Sequence, residues 1–166
     1  KICSFEEMTN LPKILRGLLA DQGVALGCLA LVNQAKAPDG TVKYLFELDD
    51  QQCVESVFIP EAERNTVCFS TQAGCGMGCV FCATGQRGLI RNLSAGEMID
   101  QILSISRMNG ETINNLVAMG QGEPLANYEA LLKAIRIIND PHGLGILCKS
   151  IWQFPCMRRM MNYGTN

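Results

Sequence analysis

The feature that most constrains this chain is a run of three cysteines within eight residues. Cys75, Cys79 and Cys82 are spaced Cys-x3-Cys-x2-Cys, with glycines at 74, 76 and 78. This spacing lets three thiolates converge on one inorganic centre, and the glycines let the backbone wrap closely around it. Three ligands suit a [4Fe–4S] cluster with one open iron, because a closed structural site usually takes four. The alternative is a zinc site whose fourth ligand lies elsewhere, such as His142 or another cysteine.

The composition predicts one domain, or one domain and a fraction, with a core of its own. The chain has 166 residues, of which 48% are hydrophobic and 18% are charged. No apolar run approaches the roughly 20 residues that a membrane span needs, and the first residues show no secretory signal pattern. Nine cysteines without such a signal are typical of reduced thiols and cluster ligands. We therefore expect a cytoplasmic protein, or one of an organelle stroma in a eukaryote, with no membrane partner.

The first part of the chain, residues 1–60, has the pattern of a small α+β accessory segment. Apolar residues recur at helical spacing within residues 5–19, and Gly23 is placed to end that helix. Strand-like runs follow at residues 25–34 and 41–48, joined through Pro38-Asp39-Gly40, which is a hairpin signal. A third run covers residues 53–59.

The second part, residues 61–146, alternates strands and helices. A strand is predicted over residues 66–72, with small polar side chains on one face and Val67 and Phe69 on the other. Ser94 and Glu97 form a capping-box pattern before an apolar helix. A second buried strand is predicted at residues 114–119 and a second helix at 127–139. Strand, helix, strand, helix predicts an α/β fold with a parallel sheet.

The flanks of the cysteine run resemble the dual-specificity RNA methyltransferases of the radical S-adenosylmethionine (SAM) class. The resemblance covers about residues 5–146 and rests on several motifs in order: Thr66-Val67-Cys68-Phe69-Ser70-Thr71-Gln72-Ala73-Gly74-Cys75, Phe81-Cys82-Ala83-Thr84-Gly85-Gln86, Arg91-Asn92-Leu93 and Met119-Gly120-Gln121-Gly122-Glu123-Pro124-Leu125. This family methylates C2 of an adenosine in 23S rRNA and in some tRNAs. The resemblance implies the first part of a partial (β/α) radical SAM barrel, preceded by the accessory segment.

The resemblance also implies two cofactors and the residues that bind them. Cys75, Cys79 and Cys82 would hold a [4Fe–4S] cluster whose open iron binds SAM. Gly122 and Glu123 would lie against SAM, with the glycine allowing close backbone approach and the carboxylate contacting the amino group. They follow the second core strand, where α/β sheets and barrels place their ligands. Taken alone, a Gly-Glu-Pro sequence is ordinary turn chemistry.

Two further residues take catalytic roles only through the resemblance. Cys68 would help to resolve a methyl-bridged RNA–protein intermediate through a transient disulfide. Without the resemblance, Cys68 reads as a small buried apolar residue. Glu55 would be the proton acceptor, and a base working on an adenine C2 proton is expected to be desolvated with a raised pKa. Without the resemblance, Glu55 reads as a solvated strand residue.

The implied partners are 23S rRNA, tRNA and an electron donor such as flavodoxin or ferredoxin, with the chain itself a monomer. A formal net charge of −2 is not typical of an RNA-binding protein, which normally has a basic face. Two alternatives are the related methyltransferase that acts on C8 of adenosine in rRNA, and a non-enzymatic iron–sulfur or zinc-binding module.

After Ile146 the resemblance stops, and residues 147–166 have no helical or strand periodicity. Possible codons for this tail, read one base back, permit Leu-Ala-Ile-Ser-Leu-His-Ala, which resembles a motif that the family carries further along its chain. The tail is therefore interpreted as frame-shifted sequence, and the alternative is an unrelated variable tail. No residue here matches the family's methyl-carrying cysteine, so the chain is expected to be an inactive fragment.

Overall fold

The fold, described from a computed structural model, covers residues 4–23 and 29–146. The strands are β1 (Ala30–Lys36), β2 (Val42–Glu47), β3 (Cys53–Pro60), β4 (Asn65–Cys68), β5 (Gln72–Gly74), β6 (Leu89–Asn92) and β7 (Asn115–Val117). The α-helices are α1 (Lys13–Asp21), α2 (Ala83–Gln86), α3 (Ala95–Asn109) and α4 (Tyr128–Asn139), and two short 3-10 helices cover Phe5–Glu7 and Pro124–Asn127.

Five strands form one sheet in the order β1-β2-β3-β4-β7, and β5 pairs with β6 in a separate ribbon. Neighbours from β1 to β4 are antiparallel, whereas β4 and β7 are parallel, with Thr66 opposite Asn115 and Cys68 opposite Val117. The predicted α/β class and the parallel pairing of the two core strands are therefore confirmed. The predicted boundary at residue 60 falls between β3 and β4, which are paired strands of the same sheet.

One face of the sheet carries the core. The buried side chains of β2, β3, β4 and β7 point to this face: Val42, Tyr44, Phe46, Val54, Phe58, Val67 and Leu116. Helix α3 covers it, because Tyr44 is hydrogen-bonded to Asn109 and Ser56 is hydrogen-bonded to Gln101. Helix α4 adds Leu131, Ile135 and Ile138 to the same core. Burial of these side chains supplies the main drive for folding.

The opposite face of the sheet is open to solvent in part. Strand pairing places Val57 opposite Cys68, and Leu45 opposite Glu55, so these side chains share one face. All four are half-buried, in contrast to the fully buried residues that alternate with them.

The first predicted helix is shorter than expected. Residues 5–7 form a 3-10 turn, and α1 begins only at Lys13, after Pro12. Proline lacks a backbone N–H and fixes its own φ, so it favours the start of a helix over its interior. The predicted end is confirmed, because Gly23 follows α1 with a φ of +68°. No residue of α1 is buried, and Ile14 and Leu18 are exposed.

The predicted strand at residues 66–72 is divided in two. Strand β4 ends at Cys68, and β5 begins at Gln72 with a different partner. Between them the backbone of Ser70 bonds to the side chain of Gln101 rather than to a neighbouring strand. A side-chain amide thus replaces the sheet ladder at this point, and the chain changes direction.

The later elements match their predictions closely. Ser94 and Glu97 form the predicted capping box at the start of α3: the Glu97 backbone amide donates to Ser94 Oγ, and the Ser94 amide donates to a Glu97 carboxylate oxygen. Helix α4 covers Tyr128–Asn139 where residues 127–139 were predicted. The hairpin through Pro38-Asp39-Gly40 is confirmed by the antiparallel pairing of β1 and β2.

Some predictions fall on residues outside the described ones. These are the tail at 147–166 and the beginning of the run at 25–34. Within the part of the chain that the structure describes, no helix has the length and apolar character to cross a bilayer.

Candidate functional site

The cysteine loop projects from the ribbon formed by β5 and β6. At its base, the Cys75 amide donates to the Gly88 carbonyl at 2.9 Å. Gly74 has a φ of +75°, and a Cβ added there would lie 2.1 Å from the same Gly88 oxygen. A side chain at residue 74 is therefore incompatible with closing the loop, and only glycine fits.

Within the loop, Cys79 and Cys82 belong to one tight turn. The Cys82 amide donates to the Cys79 carbonyl at 3.0 Å, and Cys82 precedes the short helix α2. The pKa of the Cys82 thiol lies below its ordinary value because the backbone amides of Gly85 and Thr84, and the Thr84 side chain, hydrogen-bond to its sulfur. Amide donors stabilise the thiolate, which is the form that binds metal.

The donor chemistry of the loop suits an iron–sulfur cluster. Cys75 is buried, whereas Cys79 and Cys82 are half-buried and all three are free thiols. In residues 4–23 and 29–146, no group of three or more His, Cys, Asp or Glu side chains is arranged to hold a metal ion. The three thiols thus share a loop, and binding would require them to converge. Their assignment as cluster ligands stays a prediction.

The turn after β7 lies against β5, the strand that leads into the cysteine loop. The Glu123 amide donates to the Gln72 side-chain oxygen at 2.9 Å, and the Gln121 carbonyl accepts from the Thr71 amide at 2.9 Å. Gly122 has a φ of +98°, and a Cβ added there would lie 2.5 Å from the Cβ of Gln72. Gly122 is thus required by packing within the protein, a reason that its motif did not predict.

The Glu123 carboxylate is half-buried and in part engaged. One of its oxygens accepts from the Leu125 amide at 3.0 Å and so caps the short helix Pro124–Asn127. This bond fixes the orientation of the side chain at the end of β7. The placement agrees with the predicted contact to SAM but does not test it.

A buried network around Gln101 was missed by the sequence analysis. The Gln101 side chain is fully buried and bonds to Ser56 Oγ at 2.7 Å, to the Ser70 amide at 2.8 Å and to the Ser70 carbonyl at 3.0 Å. One signal could have indicated it. Gln101 lies three residues after Met98 and four before Ile105, on the apolar stripe of α3, where a polar residue needs a partner.

Glu55 and Cys68, the predicted catalytic pair, lie on the open face of the sheet. Burial raises the pKa of the Cys68 thiol above its ordinary value, although the Met119 backbone amide, which donates to the sulfur, lowers it in part. The Glu55 carboxylate accepts from Lys43 Nζ at 3.0 Å, and its side chain is 42% exposed. The expected desolvation of Glu55 is therefore not found, because its side chain stays partly exposed to solvent.

His142 does not join any group with the cysteines. It is exposed in the turn after α4, where its backbone amide donates to Asp140 Oδ1. The alternative of a zinc site with His142 as the fourth ligand has no support from this arrangement.

Comparison with known proteins gives the same resemblance as the motifs. The chain is 50% identical over 153 residues to a protein of Pelotomaculum thermopropionicum named "probable dual-specificity RNA methyltransferase RlmN", covering 92% of this chain and 42% of that protein. It is 46% identical to the dual-specificity RNA methyltransferase RlmN of Syntrophobacter fumaroxidans, over 85% of this chain and 42% of that protein. No protein-family model matches the chain.

A solved structure extends the similarity to the fold. The crystal structure of a radical SAM methyltransferase from Sphaerobacter thermophilus matches with a TM-score of 0.82 and 42% sequence identity, covering 90% of this chain and 45% of that one. The chain is similar to one part of the radical SAM RNA methyltransferases. It spans less than half the length of these relatives.

Proposed function

We propose that this chain provides the cluster-binding and SAM-binding part of an RNA methyltransferase. The observation that carries the proposal is the position of Gln72. Its strand β5 leads into the cysteine loop, and its side chain holds the Glu123 amide. The loop with three thiols and the turn with the SAM-contact motif therefore meet at one residue, as a site that binds both cofactors requires.

In this proposal, Cys75, Cys79 and Cys82 hold a [4Fe–4S] cluster, and Gly122 and Glu123 contact SAM. When bound, the cluster supplies one electron to cleave SAM and generate a radical. The chain's own residues supply the setting for that chemistry. The amides around Cys82 favour its thiolate, and the bond from Leu125 to Glu123 aims the carboxylate.

The proposed substrate is an adenosine of 23S rRNA or tRNA, methylated at C2. The names of the relatives support an RNA substrate. Glu55 accepts the C2 proton, and Cys68 acts as the resolving thiol. Their common face supports the assignment, because Cys68 is directly opposite Val57, two residues from Glu55 on β3. On the same face, Lys43 Nζ donates to the Glu55 carboxylate at 3.0 Å.

Further parts of the proposal concern the setting of the reaction. The electron donor is a flavodoxin or ferredoxin, the chain is a monomer, and the compartment is the cytoplasm or an organelle stroma. The cysteine loop exposes three apolar side chains, Met77, Val80 and Phe81. These side chains are available to a cofactor or partner at the loop.

Anaerobic reconstitution of the chain with iron and sulfide tests the proposal. We expect about four irons and four sulfides per chain, a reduced-cluster electron paramagnetic resonance (EPR) signal that changes on addition of SAM, and release of 5′-deoxyadenosine. Zinc content without iron, or a cluster signal indifferent to SAM, would contradict it. Nucleoside mass spectrometry of 23S rRNA treated with this chain alone should show neither C2-methylated nor C8-methylated adenosine, because no residue here matches the methyl carrier that the resemblance implies.

A further inference from the structure

The Ser70 hydroxyl joins two segments that the proposed function places on different reactants. It donates to the Glu55 carbonyl on β3 and accepts from the Gln121 amide at 2.8 Å, in the turn that carries Gly122 and Glu123. Ser70 itself is fully buried. A single side-chain oxygen thus links the strand of the proposed proton acceptor to the segment proposed to contact SAM.

The position of this hydroxyl is fixed on every side. The Gln101 side chain bonds to both the amide and the carbonyl of Ser70, at 2.8 and 3.0 Å. Gly120 packs so closely that a Cβ added there would lie 2.6 Å from Ser70 Oγ. The Ser56 hydroxyl, on the residue next to Glu55, donates to the same Gln101 oxygen at 2.7 Å.

The hydrogen bonds around Ser70 and Gln101 therefore reach β3 at two residues, Glu55 and Ser56, and the turn after β7 at one, Gln121. Buried polar groups that are fully hydrogen-bonded specify one arrangement strongly, because any alternative leaves a donor or acceptor unpaired away from water. Apolar packing alone would tolerate small sliding of the turn against β3. The hydrogen bonds to the backbone of Glu55 and Gln121 do not allow such sliding.

We propose that Ser70, held by Gln101, is a positioning residue that sets the place of the SAM-contact turn relative to the strand of Glu55. Neither residue touches a cofactor in this role. The inference rests on the proposed function, since it assigns SAM to the Gln121–Glu123 turn. Its consequence is that SAM binding and the order of β3 around Glu55 are coupled through Ser70.

Two variants and one matched control test the coupling in the reconstituted full chain. Ser70→Ala removes the hydroxyl, and Gln101→Leu removes the group that holds it. Thr66→Val is the control, because the buried Thr66 hydroxyl makes a separate link from β4 to β7: it accepts from the Asn115 side chain at 2.9 Å, at the end of the pairing away from the turn. All three lose a buried hydrogen bond, but only Ser70→Ala removes the link to the turn, and only Gln101→Leu removes the side chain that holds Ser70 in place.

We expect Ser70→Ala and Gln101→Leu to weaken SAM binding, read from the SAM-dependent EPR change, by about three- to tenfold at unchanged iron content. Thr66→Val should bind SAM within about twofold of the wild type despite a similar loss of thermal stability. Equal SAM affinities in Ser70→Ala and Thr66→Val would overturn the inference. If the EPR signal of the wild-type cluster does not change on addition of SAM, the proposed function is overturned, and this inference with it.

A second measurement needs no variant and so decides the matter even if the substitutions prevent folding. Amide hydrogen exchange of the wild type is compared with and without SAM. We expect SAM to slow exchange at residues 121–123 and also at residues 54–56, while residues 65–67 stay unchanged. Slowing at 121–123 with no effect at 54–56 would show that Ser70 does not couple the two segments.

Discussion

The cysteine loop and the turn after β7 both attach to Gln72, but they are held in different ways. The loop is closed at its base and within itself by backbone hydrogen bonds, such as Cys75 to Gly88, and its tip exposes Val80 and Phe81 at 86% and 88%. The turn is bonded to other elements both through the side chains of Gln72 and Ser70 and through the backbone, where the Thr71 amide donates to the Gln121 carbonyl.

The difference is one of construction, since the turn is bonded to several elements of the fold, whereas the loop is bonded mainly within itself and to the β5–β6 ribbon. In the turn, the bond from the Leu125 amide orients the Glu123 carboxylate. The three thiols lie on one loop without an arrangement able to hold a metal ion among the described residues. Metal binding is often coupled to the ordering of its ligands, and we expect the same here.

The largest effect should come from the cysteines themselves. Changing Cys75, Cys79 or Cys82 to Ala should abolish the visible absorption of the reconstituted cluster, because a [4Fe–4S] cluster with an open iron has no spare protein ligand. Cys53→Ala is the matched control, since Cys53 is an exposed thiol on β3 outside the loop, and it should keep the full absorption. An intact cluster in all three loop variants would show that these cysteines are not the cluster ligands.

A glycine in each region tests how firmly that region is built. Gly122→Ala should lower the free energy of unfolding by roughly 2–4 kcal/mol, because its φ of +98° is unfavourable for alanine and its Cβ would overlap Gln72. Gly76→Ala should change it by about 0.5 kcal/mol or less, since its nearest neighbour is the Leu89 side chain at 3.6 Å. Urea denaturation followed by circular dichroism measures both. Equal losses would show that the turn is no more tightly packed than the loop.

The base of the loop is anchored to α3 by Arg91, on β6, which pairs with Glu97 at 2.6 Å and with Asp50 at 2.6 Å. Burial raises the pKa of Glu97, but the hydrogen bonds from Arg91 and Ser94 outweigh it and leave the pKa below its ordinary value. The ion pair between Arg91 and Glu97 therefore stabilises the fold above about pH 4.5. This stabilisation is lost as the pH falls through the lowered pKa of Glu97.

Arg91→Leu should therefore destabilise the chain at pH 7, by on the order of 1 kcal/mol for the bond to Glu97. The difference in stability between the variant and the wild type should become smaller as the pH falls below 4.5. Arg64→Leu serves as control, because its pair with Glu61 is exposed on both sides and contributes little. Thermal unfolding at pH 7 and at acid pH measures the gap, and a difference independent of pH would refute the role of Glu97.

The smallest effect concerns thiol reactivity outside the loop. Cys68 should be alkylated by iodoacetamide about tenfold more slowly than Cys53 at pH 8, because burial both shields its sulfur and raises its pKa. Its rate should still be rising above pH 9, the ordinary thiol value. Peptide mass spectrometry of the cluster-free chain gives both rates. Equal reactivity would mean that the open face of the sheet gives Cys68 no protection.

The sequence by itself determined the features that depend on short stretches of chain. The cysteine spacing and the glycine at 74 define the loop within a few residues. The capping box at Ser94 uses a partner three residues away, and the hairpin turn at 38–40 is equally local. The order of strands and helices was enough to predict that β4 and β7 are parallel.

Only the tertiary structure decided which distant residues meet. Gln101 lies 31 positions from Ser70, and Glu123 lies 51 from Gln72, so no local pattern indicates either bond. The exposure of Glu55 likewise depends on what covers the open face, and not on its own strand. Burial and hydrogen-bond partners are properties of the packed chain, because they depend on contacts between segments whose separation in sequence carries no signal.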